Sequence, residues 1–113
     1  MPTVDEHFVG KSDGLRDLYD RLVALAEKLG PVAQDPKKTS IHLNRKTAFA
    51  GVAVRKEYLV LTIKADRPFD SPRVFKSEQT SAKRFHHEVK LVRSKDLNAE
   101  LKGWLREAYE LSA

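Results

Sequence analysis

The sequence predicts an α+β domain of two layers, an antiparallel sheet of four or five strands flanked by N- and C-terminal helices packed on one face. Three observations predict it. Residues 38–63 read as three strands joined by two short basic turns, the outer two alternating apolar and polar side chains with the two-residue period and the middle one apolar on both sides. Residues 13–29 and 95–111 each carry a single apolar stripe at helical spacing, and residues 85–93 alternate once more. One stripe per helix is satisfied most simply when both helices cover the same side of the sheet.

Taken in order, residues 4–8 read as one helical turn closed by Gly10. In the first long helix Leu15, Leu18, Leu22, Leu25 and Leu29 recur three and four apart, with Tyr19 and Ala26 widening the stripe. Ser12 or Asp13 can accept hydrogen bonds from its free first amides, and Gly30 followed by Pro31 ends it. Residues 32–37 are expected as a loop, drawn toward extended geometry by Pro36. In the first strand Thr39, Ile41 and Leu43 oppose Ser40, His42 and Asn44. Residues 47–54 are apolar on both sides, Ala48, Ala50, Val52 and Val54 against Phe49, Gly51 and Ala53, as in the middle of a sheet. Leu59, Leu61 and Ile63 then oppose Tyr58, Val60 and Thr62. The connections at 44–46 and 55–57 have room only for hairpins, so neighbouring strands run antiparallel.

Residues 65–72 read as a long turn rich in Asp and Pro, 73–76 as a short edge strand and 77–84 as a mobile polar loop. Phe85, His87, Val89 and Leu91 share one face of the next strand, opposite His86, Glu88, Lys90 and Val92. The last helix begins at Ser94 or Asp96 and buries Leu97, Leu101, Trp104, Leu105, Ala108 and Tyr109.

At 113 residues and 12.8 kDa the chain has room for one core, so residues 1–113 are read as a single domain. No apolar run approaches the roughly 20 residues that span a bilayer, and the first residues lack a signal-peptide pattern. The chain has no cysteine, which excludes disulfides and thiolate metal sites and fits a reducing cytoplasm. The net charge of +5 is unevenly spread. Residues 37–95 carry 15 Lys/Arg against 5 Asp/Glu (+10), while the flanking segments carry 6 against 11 (−5). A basic sheet between acidic helices can steer anionic partners, or the two layers can neutralise one another.

Candidate chemistry follows from these positions. Four histidines are present; His86 and His87 are adjacent on a strand and point to opposite sides, so one metal cannot take both. His42 and His86 share the solvent side if their strands are near neighbours. His87 lies on the apolar side, as a core-edge histidine or as a proton-transfer or ligand-contacting group. Ser40 and His42 are two apart on one strand, roughly 6.5–7 Å between Cα atoms, which is long for a nucleophile and its base. Lys37-Lys38-Thr39-Ser40 lacks the glycines of a phosphate loop and enters a strand, not a helix. No metal, cofactor or catalytic residue is therefore assigned. The basic turns are the better candidates: Lys38, Arg45, Lys46, Arg55, Lys56, Arg73 and Arg84, with His42 and His87, form the expected ligand-binding set. Such groups neutralise phosphates, and Tyr58 or Phe75 offers a ring for stacking.

The segments DEHFVGK, LYDRLVALAEKLGP, PKKTSIHL, FAGVAVRKEYLVL, HEVKL and AELKGWLREAYE resemble an uncharacterised bacterial domain family, a domain of unknown function sometimes labelled a predicted transport protein. The layout is similar to small YdhG-like and YjbR-like α+β domains, the latter sometimes called DNA-binding. The resemblance implies this fold over nearly the whole chain and brings no catalytic residues with it. Three readings follow. The first is a cytoplasmic, non-enzymatic module binding nucleic acid or another phosphorylated ligand on the basic sheet. The second is a protein-interaction or homodimer module using an uncovered apolar patch of Ala48, Ala50, Val52 and Val60. The third is a small enzyme using His87 or His42.

Overall fold

The computed structural model describes residues 2–113. After a 3₁₀ turn at Asp5–Phe8 come α1 (Leu15–Glu27), β1 (Ala33–Pro36), β2 (Ile41–Asn44), β3 (Ala48–Val54), β4 (Leu59–Ala65), β5 (Val74–Ser81), β6 (Arg84–Leu91), a second 3₁₀ turn at Ser94–Asp96 and α2 (Ala99–Leu111). All strand pairings are antiparallel, in the order β1-β2-β3-β4-β6-β5. The fold class is the expected one; the sheet has six strands where the sequence suggests four or five.

Both additional pieces of strand lie at the sheet's edges. β1 pairs with β2 from Ala33 opposite Asn44 to Pro36 opposite Ile41, inside the segment expected as a loop. An edge strand needs no apolar face, and an edge is where Pro36 is tolerated. β5 runs on through residues expected as a mobile loop, leaving only residues 82–83 as the turn to β6. It bulges at Phe75 and Thr80, each an extra residue against the β6 register.

One sheet face is covered by both helices. Leu15, Leu18, Tyr19, Leu22, Val23 and Ala26 of α1, with Leu101, Trp104, Leu105, Ala108 and Tyr109 of α2, bury Ile41, Leu43, Val52, Leu59, Leu61, Ile63, Val89 and Leu91. A bulge between β2 and β3 breaks the strict alternation: Leu43 opposes Ala50 while Asn44 opposes Ala48, so Phe49 is the extra residue. Phe49 and Ala50 are consequently both buried, and the Phe49 ring meets Tyr109 edge-on at 5.2 Å. Of the expected uncovered patch, Ala50 and Val52 therefore belong instead to the core beneath the helices, while Ala48 and Val60, the latter paired with Ala53, lie on the other side of the sheet.

The helix ends differ from expectation in their chemistry. α1 starts at Gly14 with φ of +89° and no side-chain cap, rather than at Ser12 or Asp13. α2 is capped by Asn98, whose Oδ1 accepts from the Leu101 amide at 3.1 Å. Gly30, just past α1, has φ of +148°, and beside it the Tyr109 hydroxyl donates to the Pro31 carbonyl at 2.9 Å. Asp96 holds the approach to α2. Burial alone would raise its pKa, but the Val92 and Arg93 amides, bonded at 2.8 and 3.1 Å, together with Arg73 and Arg93, bring it below the ordinary carboxylate value. Its stabilisation is thus fully present above the unfolded value of about 4 and is lost as the pH falls through the lower folded value. Acid unfolding followed by circular dichroism is expected to show this loss, and Asp96→Asn is expected to flatten it.

Candidate ligand-binding face

The helix-free face of the sheet is where a ligand can reach the strands. Cross-strand pairing puts His42 beside Gly51, Gly51 beside Thr62 and Lys64 beside His86. Because Ala48, Gly51 and Ala53 are small, the middle of this face is hollow. The resulting trough of about 230 Å³ has walls that include Ser40, His42, Thr62, Lys64 and His86. A Cβ built on Gly51 would lie 3.8 Å from the His42 ring, so the imidazole leans over the glycine without touching it.

None of the residues lining this trough is acidic. Lys64 is half-buried and its ammonium bonds only neutral oxygens, Thr47 Oγ1 at 3.2 Å and Ser112 Oγ at 2.9 Å. Burial, with Arg84 adding to it, lowers the Lys64 pKa. Among the described residues it has no carboxylate within 4 Å. A partly desolvated cation without a counter-charge is costly to hold, and an arriving anion offsets that cost.

The residues expected from the sequence divide into four groups. His87 lies in the core: its Nε2 bonds the Arg67 carbonyl and its Nδ1 the Ser77 hydroxyl, each at 2.8 Å, and Phe69 packs on its ring at 4.2 Å. Both nitrogens are satisfied within the fold, which places this side chain away from the open face. Arg45 and Arg73 are fastened to the ends of α2. The Arg45 guanidinium lies 4.3 Å over the Tyr109 ring and donates to the Tyr109 carbonyl at 3.1 Å, a favourable position for a cation at a helix C-terminus. Arg73 donates to the Asp96 carbonyl at 2.8 Å and Asn98 Oδ1 at 3.0 Å, with Glu100 at 3.7 Å.

Lys38, Lys46, Arg55 and Lys56 are exposed, and Arg84 is half-buried. None of the five has a carboxylate partner among the described residues. They do not converge: strand directions put Lys38, Arg55 and Lys56 at one end of the sheet and Lys46 and Arg84 at the other. The two ends are separated by β3, whose seven residues extend roughly 23 Å. His42 alone of the expected set lines the trough. Lys64, Thr62 and the pairing of Lys64 with His86 are the features sequence reasoning missed; the lone lysine following the run Leu59–Ile63 is the available signal. Of the stacking rings, Tyr58 lies under the Lys90 ammonium at 4.3 Å, while Phe75 stands exposed on the outer strand.

Among the described residues no group of three or more His, Cys, Asp or Glu side chains is placed to hold a metal, and no helix is long and apolar enough to cross a membrane. No curated protein and no solved structure matches the chain. The model of the family described as "Domain of unknown function (DUF5655)" matches residues 4–112, and the chain belongs to that family.

Proposed function

We propose that this chain is a cytoplasmic, non-enzymatic binding module that holds a phosphate-bearing ligand, foremost a single strand of nucleic acid, on its helix-free sheet face. The observation that carries the reading is a trough lined by two histidines and a carboxylate-free lysine, with no acidic group in its wall. The cations at the two ends of the face support an extended rather than a compact polyanion. A strand bridging Arg55 and Lys56 to Lys46 and Arg84 crosses the trough on its way.

The test is an NMR titration with an oligothymidylate of about ten nucleotides at low salt. Amide shifts are expected for Ser40, His42, Gly51, Thr62, Lys64 and His86, with affinity falling steeply as salt rises. Lys64→Gln and the pair Arg55→Glu with Lys56→Glu are each expected to weaken binding about tenfold, or about 1.4 kcal/mol. Gly51→Ala separates binding from folding, because its methyl fits against His42 yet fills the trough floor. It should keep the melting temperature and lose affinity. Absence of shifts on this face, or variants that bind as the wild type does, would sink the reading.

A further inference from the structure

The opposite surface carries a second concavity that the proposed ligand does not use. Between α1 and α2 run two adjoining cavities of about 270 and 280 Å³, which share Leu25, Lys28 and Lys102. Their floor is apolar, made by Leu25, Leu29, Leu97 and Leu105. Their rim is cationic: Arg21 and Lys28, seven residues apart, mark the α1 side, and Lys102 and Arg106, four apart, mark α2.

Two facts set this groove apart from the rest of the helical layer. The segments flanking residues 37–95 are acidic, −5 in net charge, yet four of their six Lys/Arg side chains line this one groove and no Asp or Glu does. Elsewhere on the helices and their packing partners cations are matched, Arg16 to Asp5 and Asp20, and Arg67 to Glu107 at 2.9 Å. Within the groove only Arg21 has an acidic partner, Asp17 on its outer side, whereas Lys28, Lys102 and Arg106 have none among the described residues.

We infer that the α1–α2 groove is a docking site for an acidic amphipathic helix of a partner protein. Charge complementarity selects the occupant. Two neighbouring apolar cavities accept side chains spaced three or four apart along one stripe, and carboxylates beside that stripe meet a cation on each wall. A flat anionic membrane would meet the cations but leave the cavities unfilled. A nucleic acid would find an apolar floor with no ring for stacking.

A phage-displayed library of random peptides, about four helical turns long, selected on the full chain and counter-selected on the Lys28→Glu/Lys102→Glu variant, tests this. Both substitutions are at exposed positions, and an unchanged melting temperature confirms that the variant is folded. The expected consensus is net negative, with Leu, Ile or Phe at i, i+3 or i+4, and i+7. A synthetic peptide of that consensus should shift the amides of Leu25, Leu29, Lys102 and Arg106 and lose about tenfold in affinity on the variant. A neutral or basic consensus, no enrichment, equal binding to the variant, or shifts confined to the sheet face would overturn the inference. So would binding to phosphatidylglycerol vesicles that an excess of the selected peptide leaves unchanged. Because the readout lies on the helical layer, failure here leaves the sheet-face reading intact, and the converse holds.

Discussion

Val52→Lys is expected to leave the chain largely unfolded at 25 °C, although alternation along the sequence makes position 52 look like a surface site. Val52 is fully buried beneath the helices, paired with Ile41 on one side and Leu61 on the other. An ammonium placed there has no carboxylate within the core, and its desolvation costs several kcal/mol. The longer side chain must also displace close-packed neighbours, for about 1–3 kcal/mol more. Together these approach the whole stability of a domain this size, roughly 5–15 kcal/mol. Ala53→Lys is the matched control, since Ala53 lines the open face and its lysine head remains in water. Far-UV circular dichroism and urea titration distinguish the two. A cooperative, wild-type transition for Val52→Lys would mean that β3 faces the other way.

Gly30→Ala is the second large effect, an expected loss of about 3 kcal/mol. At φ of +148° an L side chain is strained, at roughly 1–3 kcal/mol. The new Cβ would also lie 2.4 Å from the Tyr109 hydroxyl and 3.1 Å from the ring carbon that bears it. Tyr109 must withdraw and give up its bond to Pro31, while its ring also supports Phe49 and Arg45. At about 4 °C per kcal/mol, the melting temperature should fall by more than about 10 °C. Tyr109→Phe removes the closest contact, so the double variant should be less unstable than the sum of the singles. Strict additivity would show that the clash is not the cause.

The central architecture was legible in the sequence because its elements bury one face and write that burial as periodicity. Leu15, Leu18, Leu22 and Ala26, Leu59 to Ile63 and the Trp104–Tyr109 stripe lie where their spacing puts them, whereas Leu25 is only half-buried and Leu29 falls beyond the end of α1. The two edge strands were hidden for the converse reason: β1 and β5 bury little, so AQDP and VFKSEQTS carry no alternation to read. The bulge at Phe49 misled the assignment of faces, since one extra residue reverses the parity of everything before it. The basic turns were visible as composition, but their division between two ends of the sheet depends on strand order. The trough was less legible still. Its walls come from three strands, and β6 reaches β4 only because β5 is displaced to the outside.

That displacement makes β5 the outer rim of the sheet. An outermost strand of eight residues would ordinarily present an uninterrupted template to which a second chain can add, and then a third. Here the two extra residues at Phe75 and Thr80 put the peptide groups out of step, so a straight incoming backbone finds matching partners only over short intervals. Irregularity on that rim acts as a guard against fibre growth.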